Sequence, residues 1–450
     1  MASPSASPSC GSEPGLDQVE QFLREALEGL VAAPAGGGRR GRGRPRVLPS
    51  LCVWAGLLVC VLRGFSSQLD LWRRLTWQGL WDYPRVAVTD QAIYDRLARE
   101  GTAPLEALFR QVTRLLAARL APYAATHLAP FASEVVALDE TTLDPVARTP
   151  PALRGLPATD ERRLPGKLAA VFDLRLQQWR HVEHRPAARE NDKVAARGLL
   201  AHLRPGALIL ADLGYFGFAW FDDLTDAGFR WISRLRAKTS YTVLHAFYDD
   251  GATFDGLVFL GAHRADRAKH AVRLVRFRVG PTTYQYVTNV TAPAALALAD
   301  IARLYARRWD VELAFKLVKR ELGLHLLWSA KTPVVLQQVW AVLIIAQVLQ
   351  ALRVEVADRA GLDPFDVSLP LLVRYLPQFA RDGHDPGATI AAPGGGAGLF
   401  RPSRRTRIRA PRIPPDLLRL APPDVPLVRT PRYAQKDCGP RLPNLARDRK

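Results

Sequence analysis

Cysteine is scarce in this sequence, and the few cysteines present form no recognisable site. The 450 residues include four, which are Cys10, Cys52, Cys60 and Cys438. Their spacing matches no zinc-binding pattern, and four cysteines are too few for a disulfide scaffold in a chain of this length. We therefore expect a protein of a reducing cytosol.

Long apolar segments are also few. Residues 51–62 are apolar but too short to span a bilayer, which takes about 20 residues. Residues 334–352 are long enough, yet glutamines recur along them near helical spacing, which indicates an amphipathic or buried helix. These glutamines are Gln337, Gln338, Gln347 and Gln350. The N-terminal residues lack a signal-peptide pattern, so we expect no transmembrane segment and no membrane partner.

Acidic residues are outnumbered by basic ones. The sequence has 43 Asp and Glu against 62 Lys and Arg, a net charge of +19 and a pI of about 10.3. A surplus this large favours a polyanionic partner, because each neutralised phosphate releases counterions. Nucleic acid is the first candidate, and an anionic membrane surface is the second. With 48% hydrophobic residues, the chain is globular and long enough for two or three domains.

Glycine and proline exclude regular structure from residues 34–49, which follow a short helix predicted over residues 17–32. Arg42, Arg44 and Arg46 alternate there with Gly and Pro, and this pattern looks like an AT-hook. In an AT-hook, extended arginines lie in a narrow minor groove of DNA. The alternative is a flexible basic linker that touches phosphates without sequence preference.

Two helices are clear in the next region. Residues 88–100 form one, with Thr89 as its N-cap, and residues 104–121 form the other, with Pro104 in the first turn. Two helices joined by a short turn suit a helix-turn-helix that binds DNA. A plain helical bundle explains the pattern equally well.

Two aspartates follow apolar strands further along the chain. Residues 132–143 predict a strand with Asp139 at or near its end, and residues 207–211 predict a buried strand that leads into Asp212. A folded sheet can hold two such side chains side by side, although either alone is typical of a turn or cap. Between and after them the sequence predicts further strands over residues 167–176, 178–185 and 230–235, and a β-rich insertion over residues 236–290.

A third acid lies on a helix predicted over residues 301–322. At about 100° of rotation per residue, a carboxylate and four other polar side chains share a stripe roughly 80° wide, while apolar residues gather on a neighbouring face. The alternative is a solvated face with ordinary ion pairs. The stripe consists of Tyr305, Arg308, Glu312, Lys316 and Lys319.

Three carboxylates from two strands and one helix are hard oxygen ligands. They suit Mg²⁺ or Mn²⁺, which bind through few carboxylates and keep waters and substrate phosphates. Two such ions about 4 Å apart can activate a water or a 3′-hydroxyl and stabilise the leaving oxygen during attack on phosphorus. Arg308 can fork a phosphate, and Lys319 can place a point charge on another.

The spacing of these residues resembles that of a known family. Two residues separate Tyr305 from Arg308, three separate Arg308 from Glu312, and six separate Glu312 from Lys319. This spacing matches the YREK signature of bacterial DDE transposases of the insertion-sequence-four class. The context is similar too, with Glu-Thr-Thr after Asp139 and Ala-Asp-x-Gly-Tyr-Phe around Asp212. The resemblance covers residues 130 to 350, the catalytic half of the family's proteins.

The resemblance implies an RNase H-like domain with a β-rich insertion before the third acid. It implies that Asp139, Asp212 and Glu312 bind the metal ions and that Tyr305 and Arg308, with Lys319, contact the terminal DNA of the element. Members of the family cut at the element ends and join the 3′-hydroxyls to target DNA, usually as a dimer in a synaptic complex.

The predicted organisation combines these parts. The fold class is α/β: an RNase H-like mixed sheet with flanking helices and a β-rich insertion, preceded by an all-α DNA-binding region. The predicted domains are a flexible N-terminus, a helical DNA-binding region, the catalytic domain, and a C-terminal helix with an Arg-, Pro- and Gly-rich tail that is disordered or extended from residue 381. Their bounds are 1–49, 50–130, 131–352 and 353–450.

The predicted function is transposition of DNA by two-metal phosphoryl transfer, with Mg²⁺ or Mn²⁺ as cofactor, two ions in number. The partners are double-stranded DNA, both element ends and target, and a second copy of the chain in a homodimer. The location is the bacterial cytoplasm, at the nucleoid. Two alternatives stay open: a catalytically silent DNA-binding protein derived from a transposase, and an RNase H-like nuclease without strand transfer.

Overall fold

The computed structural model divides the chain into two compact units. Unit 1 comprises residues 1–123, 146–152 and 316–402, and unit 2 comprises residues 124–145, 153–315 and 403–450. The domain boundaries drawn from the sequence group the chain differently and stay a prediction. Within these units the structure describes residues 14–32, 48–65, 67–144, 155–157, 165–188, 190, 192–262, 266–381, 398–400 and 408–433.

Helices and strands follow one another along the described chain. The helices are α1 (Pro14–Ala32), α2 (Ser50–Leu62), α3 (Gln68–Trp77), α4 (Asp90–Glu100), α5 (Ala103–Leu120), α6 (Asp192–Leu199), α7 (Phe218–Asp226), α8 (Leu298–Arg307), α9 (Trp309–Lys316), α10 (Thr332–Arg359) and α11 (Leu369–Arg381). The strands are β1 (Val135–Thr142), β2 (Lys167–Asp173), β3 (Gln178–Arg185), β4 (Leu208–Ala211), β5 (Arg230–Arg234), β6 (Tyr241–Asp249), β7 (Phe254–Leu260), β8 (Val272–Val279) and β9 (Thr282–Thr288).

Helix α10 forms the core of unit 1, where it contacts α2, α4, α5 and α11. By length and composition it could cross a membrane, but 94% of its most apolar window is buried, and core helices pass the same test. Two of its glutamines are buried and hydrogen-bonded: Gln337 donates to the carbonyl of Leu97, and Gln347 donates to the hydroxyl of Thr113. The interpretation of this segment as a buried helix is thereby confirmed.

Helices α4 and α5 begin within two residues of their predicted starts. At the start of α4 the side chain of Thr89 accepts a hydrogen bond from the N–H of Ala92, and α5 carries Pro104 in its first turn. The described residues from 14 to 123 contain helices α1 to α5 and no strand, as the all-α prediction requires. Their use in DNA binding stays a prediction. The AT-hook candidates lie outside the described residues, and these are Arg42, Arg44 and Arg46.

One nine-stranded mixed sheet runs through unit 2, in the order β3-β2-β1-β4-β5-β9-β8-β7-β6. Strands β1, β4 and β5 are parallel neighbours, and the other adjacent pairs are antiparallel. The apolar strands β2 and β4 are buried along their full length, as central strands covered on both faces are. Helices α6, α7 and α8 contact the sheet. The predicted α/β class, a mixed sheet with flanking helices, is confirmed; the RNase H-like topology stays a prediction.

The β-rich insertion extends this same sheet. Strands β6 to β9 lie within residues 236–290 and join the parallel part through the pairing of β5 with β9. Residues 408–433, which belong to the predicted tail, are extended and hydrogen-bonded to the insertion. For example, the N–H of Arg419 donates to the carbonyl of Phe247 on β6, the outermost strand. This part of the tail therefore covers a sheet edge.

The helix predicted over residues 301–322 is interrupted twice. Helix α8 ends at Arg307, and Arg308 forms a tighter turn in which its N–H donates to the carbonyl of Tyr305. After α9 the chain forms a π-helical turn over Leu317–Glu321. Hydrogen bonds from residue i+5 change the angular step per residue, so the wheel computed with 100° does not extend to Lys319. The prediction of one continuous helix is wrong.

Candidate active site

Asp139 lies inside β1, not at its end. The parallel pairing of β1 with β4 stops at Ala137, opposite Leu210, while the antiparallel pairing with β2 continues to Thr142. Asp139 therefore stands two residues beyond the point where β4 leaves β1, in a part of the strand that is open on one edge. Its Oδ1 accepts a hydrogen bond from the N–H of Glu140 at 2.9 Å.

Asp212 follows β4 directly, as the sequence predicts. Strand β4 ends at Ala211, and Asp212 has extended backbone angles before a short turn over Leu213–Tyr215. Because β1 and β4 are parallel neighbours, Asp139 and Asp212 lie beyond the same end of this strand pair. The Asp212 side chain keeps 44% of its surface exposed, so it can still receive a ligand.

Arg308 connects the second and third acids. Its side chain is only 4% exposed and donates through Nη2 to Oε1 of Glu312, one helical turn onward. Its Nε lies 3.9 Å from Oδ1 of Asp212. Its Nε and Nη1 have no hydrogen-bond partner in the described part of the chain. A buried guanidinium thus faces two of the three predicted ligands, with donor capacity left over.

The charges of the other two predicted acids act on Asp139. The pKa of Asp139 is raised to about 7: burial raises it most, the charges of Glu312 and Asp212 also raise it, and the hydrogen bond from Glu140 and the charge of Arg308 lower it. Like charges disfavour ionisation only when they are close. Asp139, Asp212, Glu312 and Arg308 therefore form one electrostatic cluster.

Tyr305 is buried at the base of this cluster. It is 4% exposed, its hydroxyl donates to the carbonyl of Ala211 at 3.4 Å, and its ring lies 4.9 Å from that of Tyr286 on β9. Burial, the largest cause, raises the pKa of Tyr305 well above its usual range. Its hydroxyl thus contacts the residue that precedes Asp212. The predicted contact of Tyr305 with DNA stays a prediction.

The two predicted lysines belong to unit 1. Lys316 is exposed at the end of α9, and Lys319 is half-buried in the π-helical turn. The carbonyl of Lys319 accepts a hydrogen bond from the N–H of His325 at 3.0 Å. The sequence groups both lysines with Glu312 on one helical stripe. Within unit 2, Arg308 contacts Asp212 and Glu312, and Tyr305 contacts the residue before Asp212.

The three predicted acids have the chemistry of metal ligands, but in this structure they are not arranged as a metal site. No group of three or more His, Cys, Asp and Glu side chains in the described residues could hold a metal ion. One oxygen of Glu312 is instead hydrogen-bonded to Arg308. Three carboxylates in one cluster still suit a hard divalent cation, because such ions prefer oxygen ligands. The chemistry of the donor set fits a divalent metal.

Two contacts that the sequence does not indicate hold α9 against the sheet. Gln177, buried in the turn between β2 and β3, donates to Oδ2 of Asp310 at 3.0 Å. The rings of Trp179 and Phe315 lie 4.7 Å apart. These contacts flank Glu312 on both sides along the helix, so they fix its backbone. A glutamine in a hairpin turn gives no sequence signal for such a role.

Known proteins were compared with this chain by sequence and by structure. Residues 130–349 match the family model of the transposase DDE domain, and this span contains Asp139, Asp212 and Glu312. No curated protein matches the chain. A cryo-EM structure of a piggyBac transposase synaptic complex with hairpin DNA is similar over 89% of this chain and 85% of that chain, with 11% identity and a TM-score of 0.37. That likeness is too distant to support any further statement. The insertion-sequence-four class stays a prediction, and what the family match supports is a DDE transposase.

Proposed function

We propose that the protein is a DNA transposase that binds the ends of an insertion sequence, cleaves them and joins the 3′-hydroxyl ends to target DNA. One observation carries the proposal. Asp139 and Asp212 from neighbouring parallel strands and Glu312 from a helix form one electrostatic cluster around a buried arginine, inside the segment that matches the DDE domain.

DDE transposases normally use divalent metal ions. Asp139, Asp212 and Glu312 would hold them, and we propose two ions, Mg²⁺ or Mn²⁺. When bound, such ions activate a water or a 3′-hydroxyl and stabilise the oxygen that leaves phosphorus. The two aspartates reach the site from adjacent strands, a rigid support that keeps ligand oxygens in place.

Arg308 has a defined part in this proposal. Its positive charge would offset the repulsion among the three proposed carboxylate ligands. Arg308 holds Glu312 through a hydrogen bond, and if Glu312 were to bind a metal ion instead, the guanidinium could donate to a phosphate. Arg308 has the donors for this, since its Nε and Nη1 have no partner in the described residues.

The partners of the proposed enzyme are element ends and target DNA, with a second copy of the chain as a homodimer. We assign DNA contacts to Tyr305, Arg308, Lys316 and Lys319 in the catalytic half. The net charge of +19 supports a polyanionic substrate. The location proposed with this activity is the bacterial cytoplasm, at the nucleoid. Further DNA contacts are proposed in the basic N-terminal linker, at Arg42, Arg44 and Arg46.

The first experiment is cleavage of linear DNA that carries the element's own ends, with Mg²⁺, by the wild type and by Glu312→Gln. Glutamine keeps the size of the side chain and removes the charge that a metal requires. We expect the wild type to cut at the ends, and the variant to bind them without cutting. Asp300→Asn is the matched control, because Asp300 is an exposed acid on α8 that pairs with Arg303; it should cut normally.

The result separates the alternatives. If the wild type binds and never cuts with Mg²⁺ or Mn²⁺, the protein is a silent DNA-binding derivative and the acids have no catalytic role. If it hydrolyses DNA but does not join pre-cleaved ends to a target, it is a nuclease without strand transfer. Normal cutting by Glu312→Gln would remove Glu312 from the metal-binding set.

A further inference from the structure

A short stretch near the C-terminus forms a strap on the catalytic unit. We call residues 427–433 the strap. The N–H of Ala271 donates to the carbonyl of Leu427, and the N–H of Arg429 donates to the carbonyl of Lys269, at 2.8 and 2.9 Å. The strap thus runs antiparallel to residues 267–271, the segment that leads into β8.

Two side chains fasten the strap. The guanidinium of Arg429 donates to the carbonyls of Leu260, Gly261 and Ala268 and lies 4.5 Å from the ring centroid of Phe259. The hydroxyl of Tyr433 donates to Asp222 of α7 at 2.9 Å. Asp222 is 2% exposed and also accepts from the N–H groups of Lys269 and His270, at 2.7 and 3.0 Å. The strap is therefore anchored through buried polar contacts, which hold its backbone in one register.

Beyond the contact of Val428 with His270 the pairing shifts by one residue, and this shift places two arginines opposite each other. Arg267 and Arg432 exchange both backbone hydrogen bonds, one from each N–H to the other's carbonyl. In such a pair the Cα atoms lie about 5.5 Å apart and both side chains stand on the same face. Both residues are exposed. The two guanidinium groups therefore extend into solvent side by side.

Neither charge of this pair is neutralised by a carboxylate of the described residues. Two acids near the strap have other partners: Asp226 pairs with Lys269 and His270, and Asp222 accepts a hydrogen bond from Tyr433. Like charges directly opposite each other destabilise a strand pair. The anchors of the strap hold the arginines together in spite of that cost, so an anion between them gains from both charges at once.

We propose that Arg267 and Arg432 together bind the phosphate backbone of double-stranded DNA. This inference rests on the proposed function, because it assigns a contact surface for the same substrate. Paired guanidinium groups match phosphate oxygens through forked hydrogen bonds and carry no base preference. The surface exists only when the strap is docked, since Arg432 belongs to the strap and Arg267 to the insertion. Residues 427–433 thereby contribute to DNA binding from a part of the chain far from the acids in sequence.

The test measures how DNA affinity depends on salt. The full chain binds a short fluorescent duplex of arbitrary sequence, without metal, between about 50 and 200 mM salt. Each neutralised phosphate contributes a slope of about −0.9 in a plot of log affinity against log salt. We expect Arg267→Gln and Arg432→Gln each to reduce the slope by about one unit, and the double variant to reduce it by about two.

Two controls sharpen the result. Arg303 is 47% exposed, like the proposed arginines in bearing one positive charge, but it is paired with Asp300. The salt slope of Arg303→Gln should therefore stay near that of the wild type. Arg432→Lys keeps the charge and should restore most of the slope lost in Arg432→Gln. An unchanged slope in both single variants, or equal losses in Arg303→Gln, would overturn the assignment. This experiment measures binding and not cleavage. If the protein never cuts DNA but the variants change the salt slope as expected, the proposed function fails and the assignment of Arg267 and Arg432 to phosphate binding still holds.

Discussion

The charge of Asp139 gives the sharpest test of the clustered acids. Burial and the neighbouring acids hold its pKa at about 7, against an ordinary value of 3.8. Between these two pH values the folded protein keeps a proton on Asp139 that the unfolded chain loses. The free energy of unfolding therefore falls as the pH rises through this window, by about 1.4 kcal/mol per pH unit from this group.

The total effect follows from the same shift. An upward shift of about three units corresponds to about 4 kcal/mol once Asp139 is ionised in both states. That figure is an upper limit, because Asp139 is half-buried and its charge is partly screened. Replacing the carboxyl with a neutral amide of the same shape removes this term. Asp139→Asn should thus match the wild type at pH 5 within about 2 kcal/mol and exceed it increasingly up to about pH 7.

Hydrogen–deuterium exchange of the peptides that contain β1 measures the opening of this part of the sheet without assuming that both units unfold together. The buffer contains a chelator, since a metal would stabilise the ionised form. The difference between Asp139→Asn and wild type should grow with pH up to about 7 and then level off. Asp300→Asn should show no such trend in β1. A difference that is independent of pH would refute the buried, clustered environment of Asp139.

Three further predictions concern the support of the site and its DNA contacts. Asp255→Asn leaves the buried guanidinium of Arg273 without its charged partner and should cost on the order of 3–5 kcal/mol, seen as a lower melting temperature. Gly261→Ala should destabilise unit 2, because φ is +85° and an added Cβ would lie 2.2 Å from the carbonyl oxygen of Asp266; unchanged exchange in β7 would contradict this. Lys319→Ala should reduce the salt slope for binding of element ends by about one unit, and an unchanged slope would rule out a phosphate contact.

Local sequence patterns were enough to predict several strands and the candidate acids. Strand β3 has the predicted bounds, and the apolar strand β4 leads into Asp212 as expected. The spacing of Arg308 and Glu312 by four residues predicted their contact, because helical geometry brings such pairs together. These features are local, so neighbouring residues suffice to predict them.

Features that depend on contacts between residues distant in the chain could be seen only in the folded structure. The pairing of β1 with β4 and β2 placed Asp139 within a strand, which no local pattern indicates. Packing buried Arg308 and Tyr305, although their stripe looks polar in sequence. The docking of residues 427–433 joined Arg432 to Arg267 in a segment whose composition predicts little order. These contacts join segments that are far apart in the sequence. They form only in the folded chain, so no local sequence pattern predicts them.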